Sequence, residues 1–135
     1  MKSLGLRLRQ QSRENITLPA DLAGPSKESK ERIENLLKGV GLDKQSKQYS
    51  ATFSAGQMQR VAIARVLTNR PAVIFAAEPT GDLDSATGKQ LMDLLKKFHE
   101  KTKTTIIVIT QEQDIADYTE RKIVLEDGVI AQKNQ

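Results

Sequence analysis

Apolar residues recur at helical spacing in several stretches, and two short runs are apolar throughout. From Ser26 to Val40, Ile33, Leu36, Leu37 and Val40 lie three and four residues apart between charged positions, with Gly41 just beyond, which predicts a helix. A second helix opens at Ser54, where Gln57 three residues on makes a capping box. Met58, Val61, Ala62, Ile63, Ala64, Val66 and Leu67 give it a broad apolar face, and Asn69 and Pro71 end it. Ala72 to Ala77 is a short apolar run between Pro71 and Pro79, read as a strand buried on both faces. Glu78 to Gly81 reads as a turn, and Leu91, Leu94, Leu95 and Phe98 place a third helix over about 86–101. Thr104 to Thr110 is a second buried strand, rich in β-branched residues. A short helix follows near Asp114 to Tyr118, and Asp127-Gly128 joins 121–125 and 129–132 in a hairpin. Residues 1–25 show no clear period and are punctuated by Pro19, Gly24 and Pro25, so they read as irregular, as do the polar residues 42–53. A strand–helix–strand unit implies a parallel pair in an α/β sheet. The expected organisation is an irregular segment 1–25, a helical part 26–70 and a sheet-bearing part 71–135.

Composition narrows the function classes. With 38% hydrophobic and 28% charged residues, the 135-residue chain reads as one folded domain rather than a disordered one. It has no cysteine and a single histidine, His99, which excludes a disulfide framework and a Cys- or His-rich metal centre. No apolar run approaches the ~20 residues of a membrane helix, and MKSLGLRLRQ lacks the apolar core of a secretory signal, so the expected location is the cytoplasm. The net charge of +4 gathers at the head, where Lys2, Arg7, Arg9 and Arg13 precede Glu14. No aromatic residues interleave there, so a solvated segment is expected and nucleic acid is not an expected partner.

Three segments carry candidate chemistry. Ser54-Ala55-Gly56-Gln57 opens a helix with small residues, which exposes backbone N–H groups at its positive end to a phosphate; any capped helix start looks similar. Glu78 follows a buried strand, where α/β folds bind ligands, and there it either activates a water or is a solvated strand-end carboxylate. Thr110-Gln111 ends the second strand, so its polar groups should emerge beside Glu78; Gln111 is then a phosphate or water ligand, or a plain loop amide.

Taken together, these segments resemble the nucleotide-binding subunits of ATP-binding-cassette (ABC) transporters, nearest the lipoprotein-release and macrolide-export type, from about Arg13 to Ile130. FSAGQMQRVAIARVL is similar to the family signature, VIFAAEPTGDLDSATG to the Walker B strand with its catalytic glutamate and D-loop, VITQ to the switch strand, and IVLEDGVI to the closing hairpin. The fold this implies is α/β: an incomplete P-loop NTPase (ABC cassette) core with a parallel sheet, a helical subdomain and a C-terminal β-hairpin. The implied ligands are ATP and Mg²⁺. Ser54, Ala55, Gly56 and Gln57 would then contact ATP held by the opposite subunit of a head-to-tail dimer. Glu78 would be the general base, Asp84 of the D-loop would cross the interface, and Gln111 takes the switch-histidine position.

Departures from the pattern shape the expectation. The phosphate loop G-x-x-x-x-G-K-[ST] is absent, and the Gly-Lys at 88–89 is discounted because its glycines are too widely spaced and Gln90 follows. Ala77 stands where the Walker B aspartate would help hold magnesium, so no metal ligand is expected from this chain. Gln111 hydrogen-bonds but takes no positive charge. Lys2 falls at the Q-loop glutamine position, and Ala55 replaces a signature glycine. These losses fall on the chain's own nucleotide site, whereas the signature is largely kept. The expectation is a degenerate or truncated ATP-binding subunit that does not bind and hydrolyse ATP alone and contributes its signature in trans. The alternatives are an interaction module docking on transporter membrane subunits, or a non-functional remnant. Expected partners are membrane subunits and another cassette subunit or split upstream half, at the inner face of the cell membrane. In the family sheet the phosphate-loop strand lies between the switch strand and the hairpin. The strand at 104–110 is therefore expected either to have an unpaired side or to pair with the hairpin.

Overall fold

A computed structural model describes residues 9–24 and 26–134. The elements are α1 (Ser12–Ala23), α2 (Lys27–Gly39), α3 (Ala55–Leu67), β1 (Val73–Ala77), α4 (Ser85–Thr102), β2 (Thr105–Ile109), α5 (Gln113–Ala116), β3 (Lys122–Glu126) and β4 (Val129–Asn134), with a 3-10 turn at Ser50–Thr52. The basic residues Lys2 and Arg7 lie outside the described residues.

Local signals explain most of this order. Ser26 caps α2 through a capping box with Ser29, and Ser54 caps α3 through one with Gln57. Ile33, Leu36 and Leu37 of α2 meet Val61, Ala64 and Leu67 of α3 in one buried cluster that includes Val40, Leu42 and Phe53. Arg60 Nη1 donates to the Val40 carbonyl at 3.0 Å and so ties α3 to the end of α2.

The N-terminal segment corrects the sequence expectation, because residues 12–23 are helical rather than irregular. Pro19 sits inside α1, where it removes one backbone hydrogen bond and disfavours a helix locally. Tertiary contacts outweigh that cost. Ile16 and Ala20, one turn apart, are buried in the main core. The buried Thr68 hydroxyl, just past α3, lies 2.9 Å from the Ile16 carbonyl, and Asn15 Nδ2 donates to Ser50 Oγ at 2.9 Å. The Ser12 hydroxyl reaches the Gln45 carbonyl at 2.8 Å, which pins the helix start to the loop after α2.

β1 and β2 pair in parallel, in register from Val73↔Thr105 to Ala77↔Ile109, with α4 as the crossover. β3 and β4 form a separate antiparallel hairpin with a bulge between Val124 and Leu125. Of the two outcomes expected for the 104–110 strand, the unpaired side is observed: among the described residues β2 pairs only with β1, and the hairpin stands apart. Burial on both faces is not observed. Ile74 packs into the core, while the alternate residues Val73 and Phe75 of β1 and Ile107 and Ile109 of β2 are exposed, Phe75 at 70%. Side chains alternate across a strand, and among the described residues helices cover one face only. A parallel pair is normally covered on both.

Candidate functional site

The turn after β1 carries the first group of candidate residues. Glu78 adopts φ +43, an uncommon conformation for a residue with a side chain. Its N–H continues the ladder to the Ile109 carbonyl at 2.7 Å. Its carboxylate turns to the end of β2, where Oε2 accepts from Thr110 Oγ1 at 3.2 Å and Oε1 from the Gln111 N–H at 3.1 Å. Glu78 and Gln111 therefore meet at the C-terminal ends of the parallel strands, but through the backbone of Gln111 rather than its side-chain amide. Ala77, the last residue of β1, is exposed one residue before the carboxylate.

The second group joins two helix N-termini. Ser54 Oγ accepts from the Gln57 N–H at 3.2 Å, and Gln57 Oε1 accepts from the Ser54 N–H at 3.0 Å. The cap thus uses both side chains locally, while Ser54 and Ala55 remain exposed. Gly56 is buried, and a Cβ there would lie 2.7 Å from Thr87 Cγ2 of α4. A glycine at this position is required for α3 and α4 to approach, whatever else it does. Asp84 caps α4: Oδ1 accepts from Thr87 Oγ1 at 2.5 Å and Oδ2 from the Thr87 N–H at 3.3 Å. The Thr87 hydroxyl and amide hold the Asp84 carboxyl below the ordinary aspartate range.

That shift sets a pH dependence. A folded-state pKa below the unfolded value means that protonation favours the unfolded chain, so the contribution is complete above about pH 4. It is lost as pH falls through the folded value. Asp84→Ala is expected to melt lower than the parent chain at pH 7, with the gap closing below about pH 4 in paired thermal melts. A gap that stays constant down to pH 2 would show that the carboxylate charge plays no part.

Sequence reasoning overlooked two supporting side chains. Gln59 Nε2 donates to the Pro79 carbonyl at 3.0 Å and so joins α3 to the turn that carries Glu78. No local pattern marks it. Thr87 was legible, since Asp84-x-x-Thr87 is the spacing of a helix cap.

Neither magnesium nor a triphosphate finds a complete cradle in these residues. Ala77 offers a methyl group beside Glu78, and no group of three or more His, Cys, Asp or Glu side chains among the described residues is placed to hold a metal ion. The 135 residues contain no G-x-x-x-x-G-K-[ST] loop. At the α3 N-terminus Ser54 and Ala55 are exposed.

Comparison with known proteins follows the same lines. The family model for ABC transporters matches residues 2–81. The lipoprotein-releasing system ATP-binding protein LolD of Aquifex aeolicus is 43% identical over 118 residues, covering 87% of this chain and 52% of that protein. The macrolide export ATP-binding/permease protein MacB of Rhodospirillum rubrum is 43% identical over 120 residues, covering 88% of this chain and 18% of that protein. Among solved structures, the dimeric MJ0796, a bacterial ABC transporter cassette, superposes with a TM-score of 0.82 at 36% identity, covering all of this chain and 60% of that one. The chain spans about half the length of LolD-type relatives, 52% in the Aquifex case.

Proposed function

Since this chain belongs to the ABC transporter family, we propose that it serves as the signature-bearing part of a transporter's ATP-binding subunit, completing a nucleotide site held on another polypeptide. The observation that carries this reading is an asymmetry. The α3 N-terminus is capped and outward-facing at Ser54 and Ala55, while the edge that would hold the chain's own nucleotide has Ala77 and no phosphate loop. In this reading Ser54, Ala55, Gly56 and Gln57 meet a phosphate of ATP bound in trans, and Asp84 lies at the same interface. Glu78 is the carboxylate that accepts a proton from an attacking water in the assembled site, with Gln111 beside it as a hydrogen-bonding group. The chain alone neither binds nor hydrolyses Mg-ATP. Residues 26–70 form the helical subdomain, joined by α1 through its packing on α3, and 71–135 belong to the ATPase core. Its partners are a cassette polypeptide carrying the phosphate loop and the membrane subunits, and it works at the inner face of the cell membrane.

Calorimetry on the purified chain tests the first half: at millimolar ATP, with and without magnesium, no heat of binding is expected. Magnesium-dependent binding would overturn it. The second half is read with an intact relative of the lipoprotein-release type that binds ATP. ATP-dependent association with this chain is expected, weakened at least tenfold by Ser54→Ala. Absence of association, or association indifferent to ATP, would sink the trans reading.

One observation favours a second reading, docking on membrane subunits without nucleotide. Leu22 of α1 is 82% exposed and lines an open hollow with Leu18, Pro19, Arg65 and Asn69. Leu22→Asp abolishing association while Ser54→Ala leaves it intact would select this reading.

A further inference from the structure

Thr110, the first residue past β2, is half-buried, and its hydroxyl has two hydrogen-bond neighbours. The Glu112 N–H donates to Thr110 Oγ1 at 3.0 Å, and Glu78 Oε2 lies 3.2 Å from the same oxygen. A backbone amide only donates, so Oγ1 is the acceptor in the first bond. A carboxylate only accepts, so the hydroxyl proton is directed at Glu78 in the second. A threonine hydroxyl ordinarily rotates to suit its surroundings. Here a backbone donor occupies one side of it and leaves its proton aimed at the carboxylate.

Gln111 contributes differently. Its backbone N–H donates to Glu78 Oε1 at 3.1 Å. That donor belongs to any residue except proline, so Thr110 supplies the side-chain share of the hold. With one donor on each oxygen, rotation of the carboxylate about its terminal bond breaks both contacts. The backbone beneath it is fixed separately. Glu78 has φ +43, a costly conformation for a residue with a Cβ. Its N–H donates to the Ile109 carbonyl at 2.7 Å, and its carbonyl accepts from the Gly81 N–H at 3.1 Å. The next carbonyl, of Pro79, accepts from Gln59 Nε2 at 3.0 Å.

We propose that Thr110 is a positioning residue for Glu78: its hydroxyl, oriented by the Glu112 amide, fixes the plane of the carboxylate and hence the directions in which its remaining lone pairs accept. The catalytic consequence rests on the reading of Glu78 as proton acceptor for an attacking water, whereas the placement of the carboxylate does not. A general base works only within hydrogen-bond reach and in line with the proton it takes, so a carboxylate free to turn loses rate. Thr110 keeps its own proton throughout.

Hydrogen exchange at the Gln111 amide of the ¹⁵N-labelled chain reads the placement, because this N–H belongs to an exposed residue and is donated to Glu78 Oε1. Glu78→Ala is expected to speed that exchange about tenfold, and Thr110→Val about fivefold. Valine keeps the branched shape and leaves the Glu78 charge in place, so the second effect isolates the hold of the hydroxyl. Thr110→Ser keeps the hydroxyl and should stay within about twofold of the parent. Gln111→Ala, corrected for the intrinsic rate of the new residue, should leave the protection in place. Exchange unchanged by Thr110→Val, or accelerated as much by Thr110→Ser or Gln111→Ala, would overturn the proposal. So would acceleration spread over the amides of β1, β2 and α4, which marks a merely structural role. The consequence for rate is read in the mixture with an intact relative. If turnover there depends on Glu78, Thr110→Val should lower kcat about tenfold at unchanged KM, and an unchanged kcat would sink the proposal. Turnover indifferent to Glu78→Ala would instead remove the proton-acceptor reading of Glu78, and the exchange rates alone would then decide the placement.

Discussion

Leu37→Ala is expected to lower the unfolding free energy by about 2–5 kcal/mol, measured by urea or thermal unfolding followed by circular dichroism. Leu37 is 1% exposed and belongs to the cluster that joins α1, α2, α3 and β1. The loss combines the transfer energy of the removed methyl and methylene groups with the cavity left behind. Helix α2 is held mainly by this face, since Lys27, Glu28, Lys30 and Glu31 are exposed; Arg32 and Glu34 add polar ties to the Thr68 carbonyl and to Arg13. A domain's whole margin is about 5–15 kcal/mol, so the loss is a large share of it and the melting temperature should fall measurably. A loss below about 1 kcal/mol would mean that α2 is peripheral and that the core lies elsewhere.

The isolated chain is expected to self-associate through its uncovered sheet face, and Phe75→Lys/Ile107→Lys to weaken that association about a hundredfold or more. Phe75 and Ile107 are register partners on the face that no helix of the described residues covers, flanked by Val73 and Ile109. Burying two such side chains contributes about 1.5–3 kcal/mol each, which converts to at least two powers of ten in a dissociation constant. β2 adds an unpaired edge among the described residues, a ready template for another strand. Because both side chains are exposed in the chain itself, folding stability should change by no more than about 0.5 kcal/mol. Sedimentation velocity over a concentration series separates these effects. A parent chain that stays monomeric at high concentration would show that the face is harmless as it stands. A variant that unfolds would show that the face is buried in the folded chain.

Both expectations bear on the trans reading. A chain that completes another polypeptide's site also needs something over Val73, Phe75, Ile107 and Ile109, and one partner could do both. If an intact cassette relieves self-association, the two requirements are linked.

Much of this protein is legible in its sequence. The periodicity of 26–40 and 54–67, the two apolar runs and Asp127-Gly128 marked α2, α3, β1, β2 and the hairpin, because each signal is local: a cap, a spacing or a turn residue. The parallel pairing of β1 and β2 followed from the helix between them. The family followed from motifs that survive as contiguous strings. Tertiary structure decided the rest. Helix α1 exists against the local vote of Pro19, because Ile16, Ala20 and the Thr68 and Asn15 hydrogen bonds join residues distant in sequence. Whether an apolar strand is covered on one face or two depends on which other elements reach it, and the run from Ala72 to Ala77 reads the same in both cases. The Glu78 carboxylate meets Thr110 and the Gln111 amide because strand register aligns two strand ends more than thirty residues apart. Gly56 is held to glycine by Thr87, a neighbour supplied by another helix. Spacing along the chain specifies what each segment prefers, but distance in space selects which preferences are kept.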